Sequence, residues 1–290
     1  MRYYLSTLFI FGLLSACGGG SDNTSSTQAA ATTTRTQVTG DADSVSVTLS
    51  NGAVTGFSAV NVSNVASFDF TENISDSQVT KFTLSNASGS ATFNTGSGDT
   101  INQITRNGIT VLAARSSSAD ALMVAMPNSG FGVYMAASNA SNGFGASTYA
   151  GRNGVSSFNP TGTATYRGGV LGLYAVTGFS PVLTGADMTA AANFGTNTIV
   201  LTTSGTQGIN PATGAYLGSY GALDISATTL IDSNGNNIFI NNISDGFGLS
   251  GSAEIALFGS SGQELAGIGS LSDNAATPTK VHLISFGGDK

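Results

Sequence analysis

From Asp41 to the C-terminus the chain is a succession of short runs in which apolar and polar residues alternate, separated by Asn, Gly and Ser. Val45-Ser46-Val47-Thr48-Leu49 and Phe68-Asp69-Phe70 alternate without a break, and residues 79–84, 109–112 and 131–135 follow the same pattern. A two-residue period rich in β-branched and aromatic residues, bounded by turn formers, predicts strands with one face buried. Residues 120–126 suit a strand or one helical turn, because periodicity does not separate the two over so short a run; they are read as a strand. The second half is more regular. Runs at 163–166, 170–174, 188–194, 198–202, 222–225, 238–240, 251–258, 264–271 and 281–286 make about eight or nine strands, the number that closes a small antiparallel barrel. Gly168, Gly169, Gly172, Gly267 and Gly269 fall inside these runs, as expected where strands coil sharply. Residues 153–160 lack an apolar run and are read as a boundary between a β domain over 41–155 and a barrel domain over 156–290. The expected class is all-β.

Composition decides between this reading and disorder. Gly, at 39 residues, and a charged fraction of only 9% suit a disordered segment, but 40% of residues are hydrophobic and lie in the alternating runs. With 9 basic against 16 acidic residues the formal net charge is −7, which excludes an electrostatic grip on nucleic acid or anionic lipid. The single cysteine, Cys17, leaves no intrachain disulfide, so stability rests on the packed core.

The N-terminus states where the chain goes. Arg2 supplies a positive charge and residues 5–14 an apolar segment too short to span a bilayer as a helix, ending in small residues. Leu14-Ser15-Ala16-Cys17 resembles the lipobox of bacterial lipoproteins. The resemblance implies a signal peptide over 1–16, cleavage before Cys17, and attachment of acyl chains, palmitate among them, to Cys17. Two or more chains give stable anchoring where one does not. Gly18, rather than Asp, follows the cysteine, which in that family favours the outer membrane. Residues 17–40 contain little that is bulky and read as a flexible tether, spanning about 25 Å.

Two stretches of the second half resemble a known family. Asn159-Pro160-Thr161-Gly162-Thr163-Ala164-Thr165-Tyr166-Arg167-Gly168-Gly169 is similar to the first barrel strand of transferrin-binding-protein-B-like surface lipoproteins. Residues 248–259, with Gln263-Glu264-Leu265-Ala266-Gly267, are similar to that barrel's closing hairpin, with Leu257 where the family carries an aromatic residue. The resemblance covers residues 156–290. It implies an eight-stranded antiparallel barrel preceded by a β "handle" domain, display on the outer face of a Gram-negative cell, and binding rather than catalysis. It also implies a ligand that bears iron or haem, or another nutrient, delivered to a partner outer-membrane transporter. A structural or adhesive lipoprotein without a small-molecule ligand is the alternative.

No catalytic signature accompanies this. Gly246-Phe247-Gly248-Leu249-Ser250-Gly251 has dinucleotide-motif spacing but is followed by a strand pattern, and Leu271 stands where an acid is needed, so it reads as a turn. Asp232-Ser233-Asn234-Gly235-Asn236 begins like a calcium loop, but its glycine is misplaced and Ile243 replaces the final Glu, so a hairpin turn is expected. His282, the only histidine, is read as a rim or outward-facing residue, with haem ligation by His282, Tyr134 or Tyr174 the alternative chemistry. Asp41, Asp43, Glu254 and Glu264 form no marked acid–base pair. No enzyme activity, cofactor or metal is expected.

Overall fold

The computed structural model describes residues 32–37, 40–63, 66–73, 78–152, 161–230, 232–234, 237–273, 275 and 277–290. The signal segment, Cys17, most of the tether and the 153–160 boundary lie outside these residues. The first half forms β1 (Thr32–Gln37), β2 (Ala42–Ser50), β3 (Ala53–Phe57), β4 (Asn61–Ser63), β5 (Ala66–Asn73), β6 (Gln78–Asn86) and β7 (Gly89–Asn94). β8 (Thr100–Arg106), β9 (Ile109–Arg115), β10 (Ala119–Ala125), β11 (Ser129–Ala137) and β12 (Asn142–Gly151) complete it. The second half forms β13 (Thr163–Val176), β14 (Val182–Asn193), β15 (Thr198–Ile209), β16 (Tyr216–Ser219), β17 (Ile225–Leu230) and β18 (Asp232–Asn234). It ends with β19 (Asn237–Asp245), β20 (Ser250–Phe258), β21 (Glu264–Ser272) and β22 (Lys280–Asp289).

These strands build three layers. The outermost is a four-stranded sheet in the order β1-β5-β6-β7. The middle sheet runs β3-β2-β12-β11-β10-β9-β8, with β4 on β2. The third layer is a closed barrel. Its eight strands follow β13-β14-β15-β17-β19-β20-β21-β22, and the last pairs with the first from Arg167 opposite Asp289 to Val176 opposite Lys280. Closure removes the barrel's free edges and so the hazard they carry.

The alternation seen in the sequence sorts side chains between these layers. Inside the barrel, Tyr166, Met188, Ile199, Leu201, Ile225, Ile238, Ile240, Ile255, Leu257, Ile284 and Phe286 fill the lumen. Outward-facing Leu171, Leu173, Leu183, Phe258, Ile268 and Leu283 pack against Val45, Leu122, Val124, Phe131, Val133 and Tyr149 of the middle sheet. The middle sheet's other face buries Leu112, Met123, Tyr134 and Ala146 against Phe68, Phe70, Phe82, Leu84 and Phe93. Ala121 to Val124 are therefore buried without a break, as expected for a strand covered on both faces.

Three expectations change. Thr32–Gln37, placed in the tether, pairs with Asn73–Phe68 as an edge strand, because its threonines are β-branched and a partner strand is at hand. Residues 222–225 are read as a strand, but Gly221–Leu223 form one 3₁₀ turn and the strand starts at Ile225. The barrel glycines permit close approach more than bending. A Cβ at Gly168 would lie 1.8 Å from the carbonyl oxygen of Gly287, and one at Gly267 2.2 Å from that of Glu254.

Candidate functional site

The barrel's two ends differ, and the candidate site lies at the end that carries the two longest connections, β15–β17 and β21–β22. There the chain leaves β13 through residues 177–181, makes an excursion between β15 and β17 that includes β16, and turns between β19 and β20 and between β21 and β22. Four of the seven exposed large hydrophobic residues among the described ones belong to these connections: Phe179, Tyr216, Leu217 and Phe247. An exposed aromatic is ordinary singly; several on the loops of one end mark a contact surface.

Local hydrogen bonds hold these side chains out. Asp245 Oδ1 accepts from Phe247 N at 2.9 Å and Leu249 N at 3.0 Å, and Gly248 takes a φ of 76°, so the Gly246–Gly251 motif is a hairpin turn. That turn lifts Phe247 onto Tyr174, the two rings lying 5.7 Å apart and nearly parallel. Asp224 accepts from Thr206 N and Oγ1 and from Gly205 N, fixing the start of the β15–β17 excursion. Burial first, then the neighbouring carboxylate of Asp245 and Tyr220, holds the Tyr174 hydroxyl above the ordinary phenol range.

Beneath this surface His282 points into the lumen and is 2% exposed, correcting its expected place on the rim or outer face. The reason is register: Val281 and Leu283 contribute to the core shared with the middle sheet, so the intervening residue turns inward. Gly172, which pairs with Ile284, makes room for it; a Cβ there would lie 2.6 Å from His282 Nε2 and 2.3 Å from Thr184 Oγ1. His282 Nδ1 stands 3.8 Å from Asp245 Oδ2, beyond hydrogen-bond reach. Tyr174 meets its ring edge-on at 6.0 Å.

The other singled-out residues are dispersed. Tyr134 lies in the core between the outer and middle sheets, its hydroxyl donating to Gly89 O at 3.1 Å and held well above the phenol range by burial. Glu264 is buried on the barrel's outer face and accepts from Asn128 N, Asn128 Nδ2 and Ser129 Oγ, tying β21 to the β10–β11 turn. Tyr149 donates to Asp41, beside its own sheet, at 2.8 Å and to Glu254 across the same interface at 3.4 Å. Asp43 is buried beside Ser270, and desolvation pushes its carboxyl up to about 6. Arg106, absent from the sequence reading, binds Asp187 at 3.1 Å and Gly205 O at 3.0 Å and lies over the ring of Tyr216. Nothing in the sequence marks it, because its partners stand some 80 to 100 positions away. Asp232–Asn234 pairs antiparallel with β19, a hairpin. Among the described residues no group of three His, Cys, Asp or Glu side chains is placed to hold a metal ion.

The geometry defines a class of protein: a closed, filled eight-stranded barrel braced by a two-layer β region, with aromatic loops at one end. No protein-family model and no curated protein matches the chain. Solved structures are similar to it in fold. One, described as a surface lipoprotein, is 12% identical with a TM-score of 0.44, over 86% of this chain and 98% of that one. The apo haemoglobin receptor HpuA from Kingella denitrificans is 18% identical, TM-score 0.40, over 91% of this chain and 88% of that one. Isotype 1 transferrin binding protein B from serogroup B Neisseria meningitidis is 16% identical, TM-score 0.39, over 86% of this chain. This chain spans only 43% of that protein's length.

Proposed function

We propose that the chain is an outer-membrane surface lipoprotein that binds a protein partner through the loop end of its barrel. One observation carries the reading: Phe179, Tyr216, Leu217 and Phe247 are exposed on the loops of one end, above a lumen filled with side chains. A filled eight-stranded barrel has no space for a small ligand, whereas exposed aromatics on hydrogen-bonded loops are the anchors of protein interfaces. His282, enclosed under Tyr174 and Phe247, is not offered to a haem. The lipobox-like Leu14-Ser15-Ala16-Cys17 supports anchoring through Cys17, and the sequence resemblance supports a partner that carries iron or haem for a neighbouring transporter.

Affinity capture with the intact lipoprotein on its own membrane, followed by growth of a deletion strain on defined iron-protein and haem sources, tests the reading. Retention of an iron-bearing protein, lost in a Leu217→Ser/Phe247→Ser variant, supports it. Normal growth on every source with no protein retained overturns the uptake role, and binding to cells or matrix alone supports the adhesive alternative. Cys17→Ser releases the protein from the membrane fraction if Cys17 is the anchor; lipid labelling that persists in this variant refutes that assignment.

A further inference from the structure

The core shared by the middle sheet and the barrel is not filled along its whole length. Where Phe131, Tyr149 and Phe258 meet, the two layers interlock. Towards the β9–β10 turn they part and leave a cleft of about 390 Å³. That lies within the range of small-ligand pockets and is well over twice the size of a roughly 150 Å³ cavity that admits benzene.

Its walls are hydrocarbon. Val45, Val47 and Met135 form one side, and Leu173, Val281 and Leu283 the other. Small residues line part of it and let Leu173 come close. Gly143 and Gly145 carry no side chain into the gap, and a Cβ at Gly145 would lie 2.2 Å from Leu173 Cδ2. Polar groups collect at one place, the rim formed by Arg115, the turn of Ser116 to Ser118, and Asp120. Arg115 gives Nε and Nη2 to Asp120 at 2.6 and 2.9 Å. The Arg115 side chain is about half exposed, at 47%, and its bonds to Asp120 use Nε and Nη2, not Nη1. An apolar cleft with a single donor-bearing rim matches a molecule with one hydrocarbon chain and one acceptor head. A planar carboxylate is the head a guanidinium edge meets best.

We propose that this cleft binds a fatty acid, its chain between the middle sheet and the barrel and its carboxylate at Arg115. The site is separate from the loop-end aromatics and does not depend on their role.

The test titrates dodecanoate, labelled with ¹³C at the carboxylate, into the full chain carrying Cys17→Ser, so that no acyl group is attached covalently. Calorimetry and the carboxylate resonance report binding. Saturable one-to-one binding is expected. Ala137→Trp, at an exposed position on the cleft's margin, and Val47→Phe, within it, each abolish binding while thermal unfolding shows the variant folded. Arg115→Gln weakens dodecanoate by about tenfold, the loss of one charge-assisted hydrogen bond, and leaves 1-dodecanol unaffected. Absence of saturable dodecanoate binding by the folded protein overturns the proposal, as does binding unchanged in both filling variants. Equal loss of dodecanoate and dodecanol in Arg115→Gln overturns the placement of the head. Binding of a lysophospholipid without dodecanoate overturns the free acid as the ligand.

Discussion

The two ends of the barrel are built from the same eight strands and finished in opposite ways. At one end the β14–β15 and β20–β21 turns are tight and their polar groups are met locally. Asn193 Oδ1 accepts from Gly195 N and Thr196 N, and the buried Tyr166 hydroxyl donates to Gly262 O at 3.0 Å beneath Lys290. The other end carries the two longest connections, β15–β17 and β21–β22, large apolar side chains face solvent there, and His282 and Asp245 sit buried 3.8 Å apart without a bond between them. Among the described residues, the buried Tyr166 at the first end is hydrogen-bonded and the buried His282 at the second is not, the pattern expected where a surface is kept for binding. The core is closed at one end and spent on contact at the other.

The sharpest way to break this comparison is at Tyr166. Tyr166→Ala removes a fully buried ring and its hydrogen bond and should cost about 3–5 kcal/mol in urea unfolding. A loss below about 1 kcal/mol would show that the tight end does not anchor the core.

Asp43 gives a pH-dependent measure of the barrel's contact with the middle sheet. Its carboxyl is raised by burial from 3.8 to about 6, so between these values the folded chain holds a proton that the unfolded chain has released. Stability is therefore highest below about pH 4 as far as this group is concerned, falls as pH rises through about 6, and is level above. The full difference is on the order of 3 kcal/mol. Asp43→Asn should flatten that part of the melting-temperature profile; an unchanged profile assigns the dependence elsewhere.

At Glu264, on the tight end, Glu264→Ala strands three donors from Asn128 and Ser129 and should cost about 1–3 kcal/mol. By contrast, His282→Leu at the loop end should be neutral or stabilise by about 1 kcal/mol, because the imidazole makes no hydrogen bond to the described residues. A loss of more than 2 kcal/mol there would contradict the distinction between the ends. Smallest in stability is Leu217→Ser/Phe247→Ser, expected within about 0.5 kcal/mol for exposed sites. That variant tests function: an unaltered capture experiment would remove the loop end as the contact surface.

How much of this was legible in the sequence follows from where each signal is stored. The barrel strands could be read because lumen and exterior alternate residue by residue, as in residues 170–174 and 281–286. The middle sheet was harder. Asn142–Gly151 is an inner strand paired on both sides, yet Gly-Phe-Gly-Ala-Ser-Thr-Tyr shows little alternation, because both faces are covered and small residues allow the layers to approach. Thr32–Gln37 read as tether because an edge strand needs little hydrophobicity once a partner supplies the hydrogen bonds. The exposed loop residues were visible singly but not as one end of a barrel, since they come from three separate connections.

The amino-acid order by itself determined the all-β class, the strand-rich barrel of the second half and the turn at Gly246–Gly251, all of which depend on neighbours close in the chain. Only the tertiary structure decided which way His282 faces, that Arg106 and Glu264 tie the two regions together, and that a cleft remains at Arg115. Each of these is set by register between strands distant in sequence, and a one-residue slip would reverse the face of every side chain concerned.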